Sequence, residues 1–392
     1  MSTPQASAAS PPTAAEAGVL VVGAGPAGLA VAACLRRERI EVQVIEQAQD
    51  VASSWQNHYA RLHLHTVKEQ SALPHLPFPA SCPRYVPRQQ MVDYLVAYAR
   101  HFDIAPRFGE EAVAITRAGD RWQTLCRSGL AIRSRAVVVA TGANRVPNEP
   151  ELPGQEAYRG RLSHSRSYRD AGPFAGKRVL VVGLGNTGAE IALDLAEHGV
   201  AVTLSARSPV NLVRRDVLGR PTQLTALLLA RLPQRLGDAL ARLFRDLTVG
   251  DLRRWGIETP SASPTYQLRE EGRTPTIDIG TLALIKQGRI AVRPGMAAFT
   301  ADAVRFTDGR QEKFEAVILA TGYRPAVAAL FPGLDLPLGV KEMPASTSGS
   351  GPFAGVYFIG FDIRQPGGVL RTIGLQAQQV AASIARDRVA AA

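Results

Sequence analysis

Apolar residues in this chain gather in short runs that end on glycine. "VLVV", Val19 to Val22, runs into "GAGPAGLAVAACLRR", and "RVLVV", Arg178 to Val182, runs into "GLGNTGAEIALDLAEHG". Four or five apolar residues stopped by glycine predict a buried strand, and the apolar spacing that follows predicts a helix. A further short strand comes next in each case, "EVQVIE" and "VAVTLSAR". Two later runs, "AVVVATGANRVP" and "AVILATGYRP", predict buried strands leaving their sheets at Ala140, Thr141, Gly142 and at Ala320, Thr321, Gly322. Repeated strand–helix–strand order predicts an α/β fold with parallel sheets. Residues 221–257 have helical apolar spacing interrupted by Pro233 and Gly237. They predict two short amphipathic helices packed on the second glycine unit, with a lid over the substrate entrance, a dimer contact or a membrane-surface patch open as alternatives. Arginines break up their apolar face, so they do not span a membrane. "QQMVDYLVAYARHF" predicts another helix, behind a Pro-rich loop, "LPHLPFPASCPRYVPR", that can hold no long element.

Composition narrows this picture only a little. The chain has 392 residues, enough for two or three domains. Residues 1–17, rich in Ala, Ser and Pro, read as a disordered leader rather than a signal peptide. The net charge of +11 comes almost wholly from Arg, since there are only five Lys. Those arginines are scattered, which argues against a nucleic-acid face. Cys34, Cys82 and Cys126 stand far apart in no CxxC spacing. They fit a reducing cytoplasm and leave no redox pair, which excludes a disulfide reductase. No metal site is predicted.

The glycine motifs carry the chemistry. Gly23, Gly25 and Gly28 form G-x-G-x-x-G, with Ala24, Pro26 and Ala27 between them. The first glycine allows a tight turn, the second a close approach of backbone to pyrophosphate, the third helix-to-strand packing. Glu46 ends the next strand, 23 residues after Gly23, where a carboxylate accepts hydrogen bonds from a ribose diol. Gly183, Gly185 and Gly188, with Leu184, Asn186 and Thr187, repeat the turn, but the matching strand ends in Arg207 and Ser208. A guanidinium there pairs with a 2′-phosphate that a carboxylate would repel. Two dinucleotides follow, the first without that phosphate and the second NADP(H). The common pairing is FAD with a nicotinamide that reduces it.

Between the two units lies "YRGRLSHSRSY", in which Tyr158, Gly160, His164 and Tyr168 fit [F/Y]-x-G-x-x-x-H-x-x-x-[Y/F]. Tandem glycine turns around this fingerprint resemble the class B flavin-containing monooxygenases. The Tyr ending resembles the N- and S-oxygenating and YUCCA-like branch more than the Baeyer–Villiger branch. "VASSWQNHYARLHLHTVKEQSALPHLPFP", with Trp55, Leu62, His65, Lys68, Leu73 and Pro74 in step, resembles the YUCCA-like indole-3-pyruvate monooxygenases. So do "NLVRRDVLG", "RTPTIDIGTLALIKQGRI" and "ILATGYRP", and the resemblance runs from about Val19 to about Arg386. His65 stands where animal-type members carry Asn, as in the YUCCA-like members. "GFDIRQPGGVLRTIGLQ" is longer than the Arg-Gly-Leu-rich loop of the plant enzymes, which leaves the substrate open.

The resemblance implies two Rossmann-like domains, the NADPH domain inserted into the FAD domain. Residues 18–148 and 309–392 would form the FAD domain, and 149–308 the NADPH domain with the helical insertion at 221–257. It implies FAD, NADPH, dioxygen and a flavin C4a-peroxide acting on a small organic substrate. The reaction would be oxidative decarboxylation of an aromatic 2-oxo acid, indole-3-pyruvate to indole-3-acetate. His164 would fix the crossing between domains, and Gln47, Trp55, Val113, Thr321 and Gly322 join the cofactor set. His65 and Lys68 are the catalytic candidates, with Lys68 and Arg61 the candidate cations for a substrate carboxylate. Oxygenation of nitrogen or sulfur, Baeyer–Villiger oxidation of a ketone, and a non-catalytic nucleotide-binding flavoprotein stay open as alternatives. A cytoplasmic location and a homodimer complete the expectations.

Overall fold

The computed structural model describes residues 14–390. They form two α/β units built on the same plan. The first opens with β1 (Ala14–Val22), α1 (Pro26–Arg37) and β2 (Val42–Glu46). It continues through α2 (Ser53–Gln56), α3 (Arg88–His101), β3 (Arg107–Phe108), β4 (Ala112–Ala118), β5 (Arg121–Cys126) and β6 (Ala131–Val139). The sheet order is β3-β2-β1-β6-β5-β4. β1, β2 and β6 run parallel, while β4 and β5 form an antiparallel hairpin on β6.

The second unit is reached through β7 (Val146–Pro147) and β8 (Arg161–His164) and repeats the plan with β9 (Arg178–Val182), α4 (Asn186–Glu197) and β10 (Ala201–Ser205). An excursion follows: β11 (Leu212–Arg214), the hairpin β12 (Asp216–Val217) and β13 (Arg220–Pro221), then α5 (Thr222–Leu229), α6 (Gln234–Val249) and α7 (Pro264–Glu271). It closes where β14 (Thr276–Asp278) pairs with β11. After α8 (Thr281–Lys286) and β15 (Ile290–Arg293), the strands β16 (Met296–Phe299), β17 (Ala303–Phe306) and β18 (Gln311–Lys313) make a small antiparallel sheet. β19 (Ala316–Leu319) then completes the parallel order β15-β10-β9-β19-β8. The chain returns through β20 (Tyr323–Arg324) and adds β21 (Val356–Phe358) beside β6 and α9 (Val369–Ala390) against α1. The outgoing and returning crossings touch, since β7 and β20 pair antiparallel.

Three expectations change. The first strand starts at Ala14, so the leader cannot extend to residue 17: Ala14–Ala17 pair with Ala131–Ser134 of β6. "AAEA" carries no strand signal of its own, and the long neighbour β6 recruits it; residues 1–13 lie outside the described residues. The boundary expected at 309 falls too early. The strand of "AVILATG" sits between β9 and β8 in the second sheet, so that unit runs to Leu319. An apolar run announces a strand but not the sheet it joins. Gly237, expected to break the insertion, lies inside α6, where a Cβ would stand 2.8 Å from the Leu229 carbonyl oxygen. It lets α6 pack against the end of α5, and Pro233 alone divides the two helices. α6 turns Gly237, Ala241, Arg245 and Val249 inward and leaves Leu236, Leu240, Leu243 and Leu247 outside.

Candidate active site at the seam between two glycine turns

Both glycine turns have the same backbone. Gly23 and Gly183 take φ of 111° and 110°, which L side chains rarely adopt. A Cβ on Gly23 would lie 2.6 Å from the Ala140 carbonyl oxygen, and one on Gly183 the same distance from that of Ala320. The two Ala-Thr-Gly segments therefore sit hard against the two turns. Gly28 and Gly188 close the helices onto the turns: a Cβ would lie 1.8 and 1.9 Å from the carbonyl oxygens of Gly23 and Gly183. By contrast, a Cβ on Gly25 or Gly185 would meet nothing within 4 Å. That open side, at the N-termini of α1 and α4, fits a pyrophosphate held by backbone N–H groups. The Thr141 hydroxyl beside the first turn is buried and has no partner among the described residues. Gly142 and Gly322 both turn left-handed, at φ 85° and 84°.

The strand ends differ. Glu46 is 7% exposed, and its carboxylate accepts from the Ala24 N–H at 2.7 Å and the Ala48 N–H at 3.0 Å. It stands at the first turn, with Gln47 exposed beside it and Val113 at a bulge between β4 and β5. Arg207 is exposed and makes no ion pair among the described residues, its stem resting on Gly295. Arg273 donates to the Ser208 hydroxyl at 3.2 Å, so two guanidinium groups flank that serine. Sequence reading missed Arg273, which reaches this end from the loop after α7. Asn186 uses its side chain elsewhere: Oδ1 accepts from the Ile277 N–H at 2.7 Å and Nδ2 donates to the Pro275 carbonyl at 3.2 Å. Only its backbone is left for a phosphate.

Tyr158 and Tyr168 tie the outgoing crossing to the second unit, and His164 ties it to the returning crossing. Tyr158 folds over Gly160, where a Cβ would strike the phenol, and donates to the Phe314 carbonyl at 2.8 Å. His164 Nδ1 accepts from the Arg166 N–H at 3.1 Å, which places the proton on Nε2, and Nε2–H donates to the Gly322 carbonyl at 3.1 Å. Burial pushes the His164 pKa down, so the neutral ring suits both bonds. The same Gly322 carbonyl accepts from the Asn148 N–H at 2.9 Å, and the Thr321 hydroxyl donates to the Asn148 carbonyl at 2.5 Å. Tyr168 donates to Asp194 on α4 at 2.5 Å.

Segment 58–68 of the first unit lies along α4 of the second. Arg61 pairs with Glu197 at 2.7 Å and approaches Asp194 at 3.8 Å. It is a seam clasp and not a free cation for a substrate. Lys68 also departs from expectation: its ammonium donates to the carbonyls of Cys82 at 2.6 Å and Ala80 at 3.1 Å. It closes the base of the Pro-rich loop, which gives it a structural role. Neither long-range partner could be read from spacing. His65 does reach the seam, with Nε2 2.6 Å from Oε1 of Glu190, which is 2% exposed on α4. Trp55 is half-buried in α2 against the first core, and Arg88 donates to the Gln56 carbonyl behind it at 2.7 Å.

The insertion reaches the same place. Gln223 on α5 accepts from the Val67 N–H at 2.7 Å and donates to the Gly367 carbonyl at 2.5 Å. Leu227 lies over Gly367, and Thr66 over Gly368. Arg371, half-buried in the first turn of α9 with its stem on Gly367, makes no hydrogen bond or ion pair among the described residues. The three cysteines are free and buried, and burial pushes Cys34 up to about 12 and Cys126 to about 11. Among the described residues no His, Cys, Asp and Glu group could hold a metal, and no helix is long and apolar enough to cross a membrane.

Comparison with known proteins agrees with this layout. Residues 16–340 match the family described as flavin-binding monooxygenase-like. The indole-3-pyruvate monooxygenase YUCCA1 of Oryza sativa subsp. japonica is 39% identical over 354 residues, 88% of this chain and 87% of the rice protein. A flavin-containing monooxygenase from Stenotrophomonas maltophilia superposes with a TM-score of 0.74 at 24% identity, covering 95% of this chain and 99% of that one. OTEMO, solved in complex with FAD and NADP, superposes at 0.71 with 17% identity over 96% of this chain and 85% of its own. These two likenesses speak for the fold.

Proposed function

The chain belongs to the flavin-binding monooxygenase-like family, and from that premise we propose that it is an FAD- and NADPH-dependent monooxygenase that oxidatively decarboxylates an aromatic 2-oxo acid, indole-3-pyruvate to indole-3-acetate. The observation that carries it is the pair of matching glycine turns, one followed by Glu46 and the other by Arg207. The substrate follows the activity for which the rice relative is named. The first turn, Glu46 and the Thr141 hydroxyl would hold FAD. The second turn, with Arg207, Ser208 and Arg273, would hold NADPH. When bound, the flavin supplies the redox chemistry that no side chain here can. Two electrons come from NADPH; one oxygen atom enters the acid, the other leaves as water, and the substrate carboxylate leaves as carbon dioxide.

The chain's own residues orient and enclose. With Arg61 and Lys68 engaged elsewhere, Arg371 is the cation for the 2-oxo acid's carboxylate, at the positive end of a 22-residue helix. Leu227 gives apolar cover above it. Gln223 holds α5 down on both first-unit segments, which keeps water from the seam.

The test is product identification. Purified protein loaded with FAD is given NADPH, dioxygen and indole-3-pyruvate, with an amine and a sulfide as rivals. We expect one indole-3-acetate and one carbon dioxide per NADPH consumed. An N- or S-oxide formed in preference overturns the substrate, and hydrogen peroxide as the sole product overturns the monooxygenase. Arg371→Met should raise KM for the 2-oxo acid about tenfold or more, the size of one charged hydrogen bond, and leave KM for NADPH alone.

A further inference from the structure

The acids of α4 that face the first unit follow a pattern. Asp194 takes Tyr168 and Arg61, and Glu197 takes Arg61. Glu190, one turn nearer the glycine turn, is different. One oxygen meets His65 Nε2 at 2.6 Å, and Oε2 is buried. The Tyr59 hydroxyl lies within hydrogen-bond reach of the same carboxylate, and burial, the carboxylate's charge and that contact push its pKa well up. His58 also faces it: burial lowers the His58 pKa, the carboxylate opposes, and Arg169 and Arg88 add to the lowering. A carboxylate buried between a histidine and a tyrosine costs desolvation, and an apolar residue would suit stability better. Such a group fits a positioning role.

We propose that Glu190 is the positioning residue of the seam, holding His65 so that the proton sits on Nε2 and Nδ1 is offered to the cleft. An ionised carboxylate only accepts, so Nε2 must donate to it. Nδ1 has no hydrogen-bond partner among the described residues. The pair joins the two units, His65 from the FAD side and Glu190 two residues past Gly188 on the NADPH side. It can therefore fix how one cofactor lies against the other. This inference rests on the proposed pairing of FAD with NADPH, but not on the substrate.

The experiment uses FAD-loaded full-length protein without oxygen or substrate, so a wrong substrate assignment leaves it intact. The rate at which saturating NADPH bleaches the flavin is measured for wild type, Glu190→Gln, His65→Gln and the double variant. Each single variant should slow bleaching about tenfold or more, with the dissociation constant for NADP+ changed less than about threefold. The double variant should be no slower than the slower single, as expected of residues acting as a unit. In ¹⁵N spectra His65 should be protonated on Nε2 in the wild type and lose that preference in Glu190→Leu. Flavin content after gel filtration reports folding; should Glu190→Leu fail to keep FAD, the near-isosteric Glu190→Gln decides. Multiplying single-variant effects, a change in NADP+ affinity alone, or unchanged bleaching would overturn the proposal.

Discussion

The first and second glycine turns agree in backbone to within a degree at their leading glycines and differ in one charge. Gly23 and Gly183 have φ of 111° and 110°, and the contacts that forbid a side chain at Gly28 and Gly188 differ by 0.1 Å. That identity answers the part both dinucleotides share, the pyrophosphate. The part they do not share is met by the residue ending the next strand. Glu46 is buried and locked to the turn by two backbone N–H groups, while Arg207 is exposed, without an ion pair among the described residues, and backed by Arg273 at Ser208. A 2′-phosphate brought to the first turn meets a fixed anion with no room to withdraw. At the second it meets cations. On the proposed assignment one backbone device would serve two cofactors, and the charge beside each turn would tell them apart.

The comparison breaks most visibly at the third glycines. Gly28→Ala puts a methyl group into the Gly23 carbonyl, backbone against backbone, where no side chain can yield. Protein should be recovered without flavin or not recovered folded. Gly188→Ala makes the same clash in the second unit and should leave flavin bound but beyond the reach of NADPH. Flavin absorbance after gel filtration, followed by anaerobic NADPH titration, separates the two outcomes. Identical behaviour of both variants would mean that the units are not specialised. The next effect is smaller and sharper. Arg207→Ala should raise KM for NADPH about 10- to 100-fold, the worth of a charged hydrogen bond to phosphate, and leave KM for NADH unchanged. Steady-state kinetics with both nucleotides checks it, and an equal rise for NADH would remove Arg207 from the 2′-phosphate.

Both turns were legible in the sequence because their chemistry is local: strand, glycines, helix and terminal charge lie within about 25 residues. The fingerprint was legible as a pattern, but its reason is not local, since Tyr158, His164 and Tyr168 find their partners at Phe314, Gly322 and Asp194. The same distance hid the seam. Arg61 and Lys68 looked available because their partners lie far along the chain or on the backbone: Glu197 takes the first, and the carbonyls of Ala80 and Cys82 take the second. Glu190 looked like one more polar residue of an amphipathic helix until His65 was placed against it. Sheet membership of β19 and the early start of β1 are likewise decided by neighbours far along the chain.

The hinge gives a pH test of how the two units are held together. The His164 pKa lies below 6.5 chiefly through burial, and Nδ1 accepts from the Arg166 N–H. Protonation there loses that bond. The unfolded chain takes up its proton near the ordinary value of about 6.5, before the folded protein does. The stabilisation is therefore complete above about pH 6.5 and is lost as pH falls through the depressed folded value. His58 and His75 are depressed too, so the measurable quantity is a difference. His164→Gln should lower Tm at neutral pH and show a shallower further loss on acidification than the wild type. Parallel curves would show that His164 does not carry the linkage.

The smallest expected effect concerns the insertion, which only the second unit possesses. Gln223 is the polar contact through which α5 reaches first-unit backbone on two separate segments, at Val67 and Gly367. Those segments flank His65 on one side and Arg371 on the other. If α5 serves only as packing, Gln223→Ala should cost stability and nothing else. If it closes the seam, losing the side chain frees the helix end without removing any group that touches cofactor or substrate. The share of NADPH electrons ending as hydrogen peroxide should then rise about two- to threefold, roughly the effect of one neutral hydrogen bond. KM for NADPH and flavin content should stay unchanged, because both glycine turns are untouched. Gln223→Glu sharpens the test. A carboxylate can still accept from the Val67 N–H but cannot donate to the Gly367 carbonyl, so leakage should be as large as in the alanine variant if the Gly367 bond is the latch. Wild-type coupling in Gln223→Glu would move the latch to Val67, and wild-type coupling in both variants would leave the insertion as packing.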